Sequence, residues 1–204
     1  MSRAVSRDPD RLVLFTDAVV AIAVTLLVLP LVDVVPEAVG AHRRSVEVIT
    51  EHQAQIWSFV LSFVVIIRLW FVHHRMFEHI GGYTRALMLV NTGWLLAIAL
   101  LPFPTEMVAS YPGDDRFTVM LYIGNILVAG AFQTALAVIS YRDPDVALES
   151  DPPTIESVRA SLSNAVLLAV SLAVVAVFPS ISYFALLLLF LEAPVDRFWR
   201  LVGV

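Results

Sequence analysis

The 204-residue chain contains no cysteine and no lysine, and all thirteen of its basic Lys/Arg positions are arginine. Without thiols there is no disulfide framework and no thiolate metal site. Charge is scarce: Asp, Glu and Arg make up 15% of the residues, whereas a soluble domain carries about 25%. No G-x-x-x-x-G-K, G-x-S-x-G or H-E-x-x-H occurs, so the usual signatures of nucleotide, serine-nucleophile and zinc-peptidase chemistry are missing. Neither catalytic residues nor enzyme activity is expected, nor is a nucleic-acid partner. T-V-G-Y-G is missing too, which excludes a carbonyl-lined potassium filter of that type. The net charge of −5 carries little, because in a membrane protein the placement of charge matters more than its sum.

What is abundant is apolar surface. The chain is 59% hydrophobic with mean hydropathy +0.82, and several runs reach the roughly 20 residues that cross a bilayer as a helix. The pattern predicts an all-α polytopic membrane protein, a single domain over residues 1–204 with six spans near 12–35, 53–74, 84–108, 117–141, 155–178 and 180–199. Met1 to Asp10 lacks a small-residue cleavage site and is not read as a removable signal peptide. Glu37 to Glu51 is a polar connector, partly helical at most. Pro102 and Pro104 predict a kink in the third span. Gly124 and Gly130 offer close helix approach in the fourth, and Pro179 marks a tight join between the fifth and sixth. No internal repeat is visible. An even number of spans puts both termini on one side. Arg3, Arg7, Arg11, Arg75, Arg85, Arg142, Arg159, Arg197 and Arg200 fall on that side, against Arg43, Arg44 and Arg116 on the other. The arginine bias predicts cytoplasmic termini in a cell membrane.

The first span places an acid near one end, Asp17, and another just past the other, Asp33. A carboxylate in or beside a span requires a partner, water or a function. At about 100° per residue, Phe15, Ala18, Ile22, Leu26, Leu29 and Asp33 share one narrow face, with Thr25 at its edge and Asp17 pointing away. Periodicity alone fits an apolar stripe packed on neighbouring helices. Arg11, Asp17, Arg68, His73 and His74 all lie towards the same end of their spans, which predicts a polar network inside the bundle. The same groups suit a proton relay. His73, His74 and His79 with Glu78 make a weak metal candidate, since adjacent helical positions diverge and cannot grip one ion as an i, i+4 pair can. No metal site is expected.

Arg11, Phe15, Thr16 and Asp17, followed by A-I-A-V-T-L-L-V-L, resemble the R-x-x-x-F-S-D and A-I-x-x-T-L-L signature of the endosomal and lysosomal potassium channel family, in its bacterial single-repeat, six-span branch. Thr16 stands where Ser is usual and keeps the hydroxyl. Pro30 stands where an acid is common, which alters the outer end of the helix. The segments S-F-V-V-I-I-R-L-W-F-V-H-H-R-M-F and N-T-G-W-L-L through L-L-P-F-P-T are similar to the family's second and third spans. The resemblance implies a homotetramer in the lipid bilayer that conducts monovalent cations, with no cofactor and with K+ in a pore lined by the first helix. It implies pore-lining apolar layers at Ile22, Leu26 and Leu29, a potassium-associated hydroxyl at Thr25, and a structural signature set of Arg11, Phe15, Thr16, Asp17, Arg68, Trp70, His73 and His74. Asp33 is placed by its face at the pore mouth. The competing reading is a secondary transporter or proton-coupled exporter working through the buried Asp/His/Arg network. Such a protein calls for broken helices at the midplane and a repeated half. The prolines of the third span meet the first demand weakly, and nothing in the sequence meets the second.

Overall fold

The computed structural model describes residues 9–113, 115–178, 181 and 183–186. Among these residues eight α-helices follow in order: α1 Asp10–Leu26, α2 Leu29–Gly40, α3 Ser45–Glu51, α4 Gln53–Phe77, α5 Arg85–Leu100, α6 Pro102–Ser110, α7 Arg116–Arg142 and α8 Ile155–Val177. Among the described residues there is no β-strand, only an isolated pairing of Ile80 with Ala147. Among the described residues, five stretches are long and apolar enough to cross a membrane: Asp10–Gly40, Gln53–Phe77, Arg85–Ser110, Arg116–Arg142 and Ile155–Val177. Most of the sixth expected span (180–199), the Pro179 join and Arg3, Arg7, Arg197 and Arg200 lie outside the described residues.

Two of the five spans are each built from two helices, and proline is the cause in both. Pro30 has no N–H to give the Leu26 carbonyl, so the ladder lapses at Leu27–Val28 and restarts with Pro30 in the first turn of α2. The first span then runs to Gly40, five residues beyond its expected end. In the third span, Pro102 denies a donor to Ile98, and the Leu101 amide turns back to that carbonyl in a tighter turn, 3.1 Å. The Ala97 carbonyl thereby loses its helical partner. Asn125 of α7 replaces it, donating from Nδ2 at 2.9 Å.

Helix α7 is the central post, packed on α8, α5 and α6, while α1 lies against α5 and α4. Trp94, Tyr122, Ile66, Leu87 and Leu136 are fully buried in the shared core. Gly130 meets the Leu168 side chain of α8, as its small size suggested, but Gly124 faces open space. The tightest approach is at Gly93, where a Cβ would stand 2.5 Å from the Phe132 ring. Gly93→Ala is therefore expected to destabilise by about 1–3 kcal/mol through overpacking, measurable as a lowered unfolding midpoint in detergent. Gly124→Ala should leave that midpoint unchanged.

Helix α2 ends in a Schellman turn. The Arg43 amide donates to Ala38 and the His42 amide to Val39, with His42 in the left-handed region at φ 55°. This turn delivers two arginines to the connector. Arg43 pairs with Glu51 at 2.6 Å and Arg44 with Glu47 at 2.9 Å. The Arg44 side chain and backbone hydrogen bonds hold the Glu47 carboxyl below its ordinary range.

Candidate pore helix and its polar anchor

Helix α1 has two unlike faces. Val20, Ala23 and Leu27 are 3%, 2% and 3% exposed and join the core. Ile22, Leu26 and Leu29 are 59%, 41% and 49% exposed, and Phe15, Ala18, Thr25 and Asp33 are exposed with them. Packing within the subunit thus uses one stripe and leaves uncovered the other, which periodicity alone had assigned to helix contacts. The uncovered stripe is not one straight line, because Leu29 and Asp33 belong to α2, beyond the break. The Thr25 hydroxyl donates to the Ile22 carbonyl at 2.8 Å, so its oxygen lone pairs remain available as acceptors.

The packed face is fixed by polar groups. Thr16 is fully buried and accepts from Asn91 Nδ2 at 2.9 Å. The Asn91 Oδ1 lies 2.7 Å from His73 Nε2. Since the amide nitrogen is engaged by Thr16, its oxygen is the acceptor and His73 Nε2 carries the hydrogen. The His73 ring is stacked between Trp94 and Phe77, with centroids 4.1 and 4.3 Å away. One turn away, Trp70 Nε1 donates to Asp17 Oδ1 at 2.7 Å, and its rings stack on His74. Helices α1, α4 and α5 are thereby joined through the hydrogen bonds of five side chains, Thr16, Asp17, Trp70, His73 and Asn91.

The expected network is therefore divided. Thr16, Asp17, Trp70 and His73 come together, and His74 stacks on them. Arg11 and Phe15 instead sit on the exposed side of α1, so the donor to Asp17 is an indole and not a guanidinium. Arg68 points to the other side of α4, where Nη1 donates to Asn164 of α8 at 2.9 Å. His79 lies 3.0 Å from Asp151 of the α7–α8 loop, beyond the end of α4 at Phe77. Sequence reasoning missed Asn91 and Asn164, and also the Tyr122 and Thr105 that meet Ser62 in a second buried relay. There Tyr122 donates to Ser62, and Ser62 to Thr105, at 3.0 and 2.8 Å, because the Thr105 hydroxyl is itself committed to the Leu101 carbonyl. The signal was available: a polar residue in the middle of an apolar span must find a partner on another helix.

The signature residues of α1, the polar patch of α4 and Asn91 of α5 all fall within residues 11–102, and those residues match the family model described as endosomal/lysosomal potassium channel TMEM175. Over that part the chain is similar to the TMEM175 family. The family is described as a channel, not an enzyme. A Streptomyces collinus protein named as a potassium channel is 36% identical over 109 residues, which cover 53% of this chain and 52% of the relative. The human endosomal/lysosomal proton channel TMEM175 is 30% identical over 135 residues, covering 62% of this chain and 27% of the human protein. The match thus spans about half the length of the bacterial relative and about a quarter of the human one. The crystal structure of a lysosomal potassium-selective channel TMEM175 homologue from Chamaesiphon minutus superposes with a TM-score of 0.70 at 24% identity, covering 93% of this chain and 96% of that one. The all-helical fold is accordingly that of a TMEM175 homologue.

The geometry separates charge from hydrogen bonding at Asp17. An Asn at position 17 keeps an oxygen for Trp70, and an Ala does not. Asp17→Ala is expected to lower stability by about 1–2 kcal/mol, Asp17→Asn by less than half as much, and Arg11→Ala hardly at all. Denaturant titration in detergent checks the order, and equal losses for Ala and Asn would mean that the charge itself is the important property.

Proposed function

We propose that the chain is the subunit of a potassium-permeable cation channel in which four copies surround a pore lined by α1 and the start of α2. The observation that carries this reading is the uncovered aliphatic stripe. Symmetry closes such a stripe into rings around an axis, one ring per residue. Ile22, Leu26 and Leu29 then form the constriction that serves as gate and selectivity element, since large aliphatic side chains around a narrow axis give water no partners. The free lone pairs of Thr25 suit a partly dehydrated K+. The names of the Streptomyces relative and of the solved Chamaesiphon homologue support potassium as the ion. The proposed setting is the plasma membrane of a bacterium, with both termini cytoplasmic. Flux of K+, Na+ and protons into liposomes holding the purified protein tests the reading, and an oligomer with no cation flux would reject it.

The mouth belongs to Asp33, exposed on α2. The two neighbouring connector arginines are paired with Glu51 and Glu47, so they do little to cancel its field. A ring of such acids concentrates cations at an entrance. Asp33→Asn should reduce conductance about two- to threefold at 10 mM salt and hardly at all at 1 M, where the screening length falls from about 30 to about 3 Å. Equal reduction at both would indicate a folding defect in place of a lost field.

A second reading, proton passage, is favoured by the name of the human relative. The bonded pairs Asp17–Trp70 and His73–Asn91 are the groups it would use. A proton flux that persists when the stripe is altered and ceases on Asp17→Asn would favour it.

A further inference from the structure

Just past the end of α4, the chain turns towards α5 and meets the loop between α7 and α8. The two segments are joined by backbone hydrogen bonds. The Gly81 and Gly82 amides donate to the Val146 carbonyl at 3.0 and 3.4 Å, and the Leu148 amide donates to the His79 carbonyl at 2.9 Å. Ile80 and Val146 are buried and close the apolar side of the contact. At Gly81 a Cβ would stand 3.2 Å from the Leu148 Cα, so the two backbones run close together. A pair of side chains closes the polar side. His79 Nδ1 lies 3.0 Å from the Asp151 carboxylate and 3.3 Å from the Asp151 carbonyl oxygen. Both partners are acceptors, so Nδ1 carries a hydrogen in either charge state of the ring, and a proton gained on acidification sits on Nε2. The turn held in this way joins α4 to α5, the helices whose Trp70, His73 and Asn91 fasten α1.

We propose that His79 and Asp151 make this contact a protonation-sensitive clasp, which holds the α7–α8 loop against the α4–α5 turn more tightly when the imidazole is charged. Imidazole is the side chain whose charge changes between about pH 5 and 8. The added charge brings ionic attraction to a hydrogen bond that exists in both states. The neighbouring charges fix the direction. From the loop, Asp151 touches the ring, while the Asp143 carboxylate accepts from the Asp145 amide. From α4, Glu78 faces His74 at 3.9 Å, and Arg68 and Arg75 line a cavity together with His79 and oppose its charging. Helix α8 brings Glu156 in its first turn, and α5 opens on the exposed Arg85. Arg75, one turn back from His79, is exposed, so solvent screens it, whereas the Asp151 carboxylate is in direct contact. Attraction therefore exceeds repulsion. The two side chains are 36% and 69% exposed, so the gain is that of a surface pair, about threefold in the docking equilibrium.

The experiment is hydrogen exchange of the full chain in detergent, read by mass spectrometry at about pH 6 and about pH 8, with each rate corrected for the intrinsic effect of pH on amide exchange. The fragments of interest carry the Gly81, Gly82 and Leu148 amides, whose bonds break when the clasp opens. In the parent their protection should be about threefold greater at the lower pH. His79→Gln keeps a donor and loses the titration, and Asp151→Asn keeps an acceptor and loses the charge. Each should give the same protection at both pH values, and Asp151→Asn serves where His79→Gln folds poorly. His74→Gln, which removes the neighbouring imidazole, should keep the parent's dependence. Fragments from the buried middle of α7 should show no dependence at all. A parent whose clasp amides exchange alike at both pH values would overturn the proposal. So would a dependence that survives both His79→Gln and Asp151→Asn, or one of equal size in α7, since the first assigns the effect to another group and the second to the whole bundle.

Discussion

Leu26→Asn or Ile22→Asn is expected to convert the reconstituted protein into a leaky and less discriminating cation pathway. The two residues lie one helical turn apart on the uncovered face of α1, and Leu29 follows beyond the break, so the three layers span about 10 Å. A dry column of that length excludes ions because it excludes water. One carboxamide per subunit gives water hydrogen-bond partners at its centre. A barrier lowered by about 1.4 kcal/mol raises flux about tenfold, and discrimination between K+ and Na+ falls because less hydration water has to be shed. Val24→Asn is the control, since Val24 packs against the core; it should reduce the yield of folded protein without opening a path. Liposome flux and reversal potentials on purified oligomers report both quantities. Parent-like conduction and selectivity in the on-face variants would make the stripe an ordinary contact surface and put the pore elsewhere.

The second large effect is structural. Asn91→Ala should cost on the order of 2 kcal/mol, because it strips a partner from both the buried Thr16 hydroxyl and His73 Nε2. Asn91→Asp separates the two bonds. It keeps an acceptor for His73 and removes the donor to Thr16, so its loss should be smaller and should grow when combined with His73→Phe. Denaturant unfolding in detergent measures each variant, and a neutral Asn91→Ala would show that α1 is held by apolar packing alone.

That the chain folds into long apolar helices could be read from hydropathy, because a helix in lipid must satisfy its own backbone and cover a fixed thickness. The proline break at Leu101 was legible for the same reason. The break at Leu27–Val28 was only half legible: Pro30 signalled a changed outer end, yet a wheel drawn through it treated Leu29 and Asp33 as a continuation of α1. The signature acid was legible as needing a partner, but its partner was not. Arg11 was close in sequence and opposite in charge, whereas Trp70 meets Asp17 through a packing angle between α1 and α4 that no single span encodes. Asn91 and Asn164 were passed over because a carboxamide carries no charge to flag it, although in an apolar environment its two polar ends need partners just as surely. Gly93 was passed over in favour of Gly124 because sequence shows that a residue is small and not what stands opposite it.

The lapse in the ladder at Leu27–Val28 divides the stripe between two bodies with different moorings. Helix α1 is bolted to the bundle by Thr16 and Asp17, while α2 touches chiefly the connector helix α3 and α4. Ile22 and Leu26 ride on the bolted piece, and Leu29 and Asp33 ride on the other. In the proposed pore the Leu29 layer would be the leaf of an iris and the Ile22–Leu26 pair its rim, with the aperture reached from the connector side and the bonds of Thr16 and Asp17 left intact.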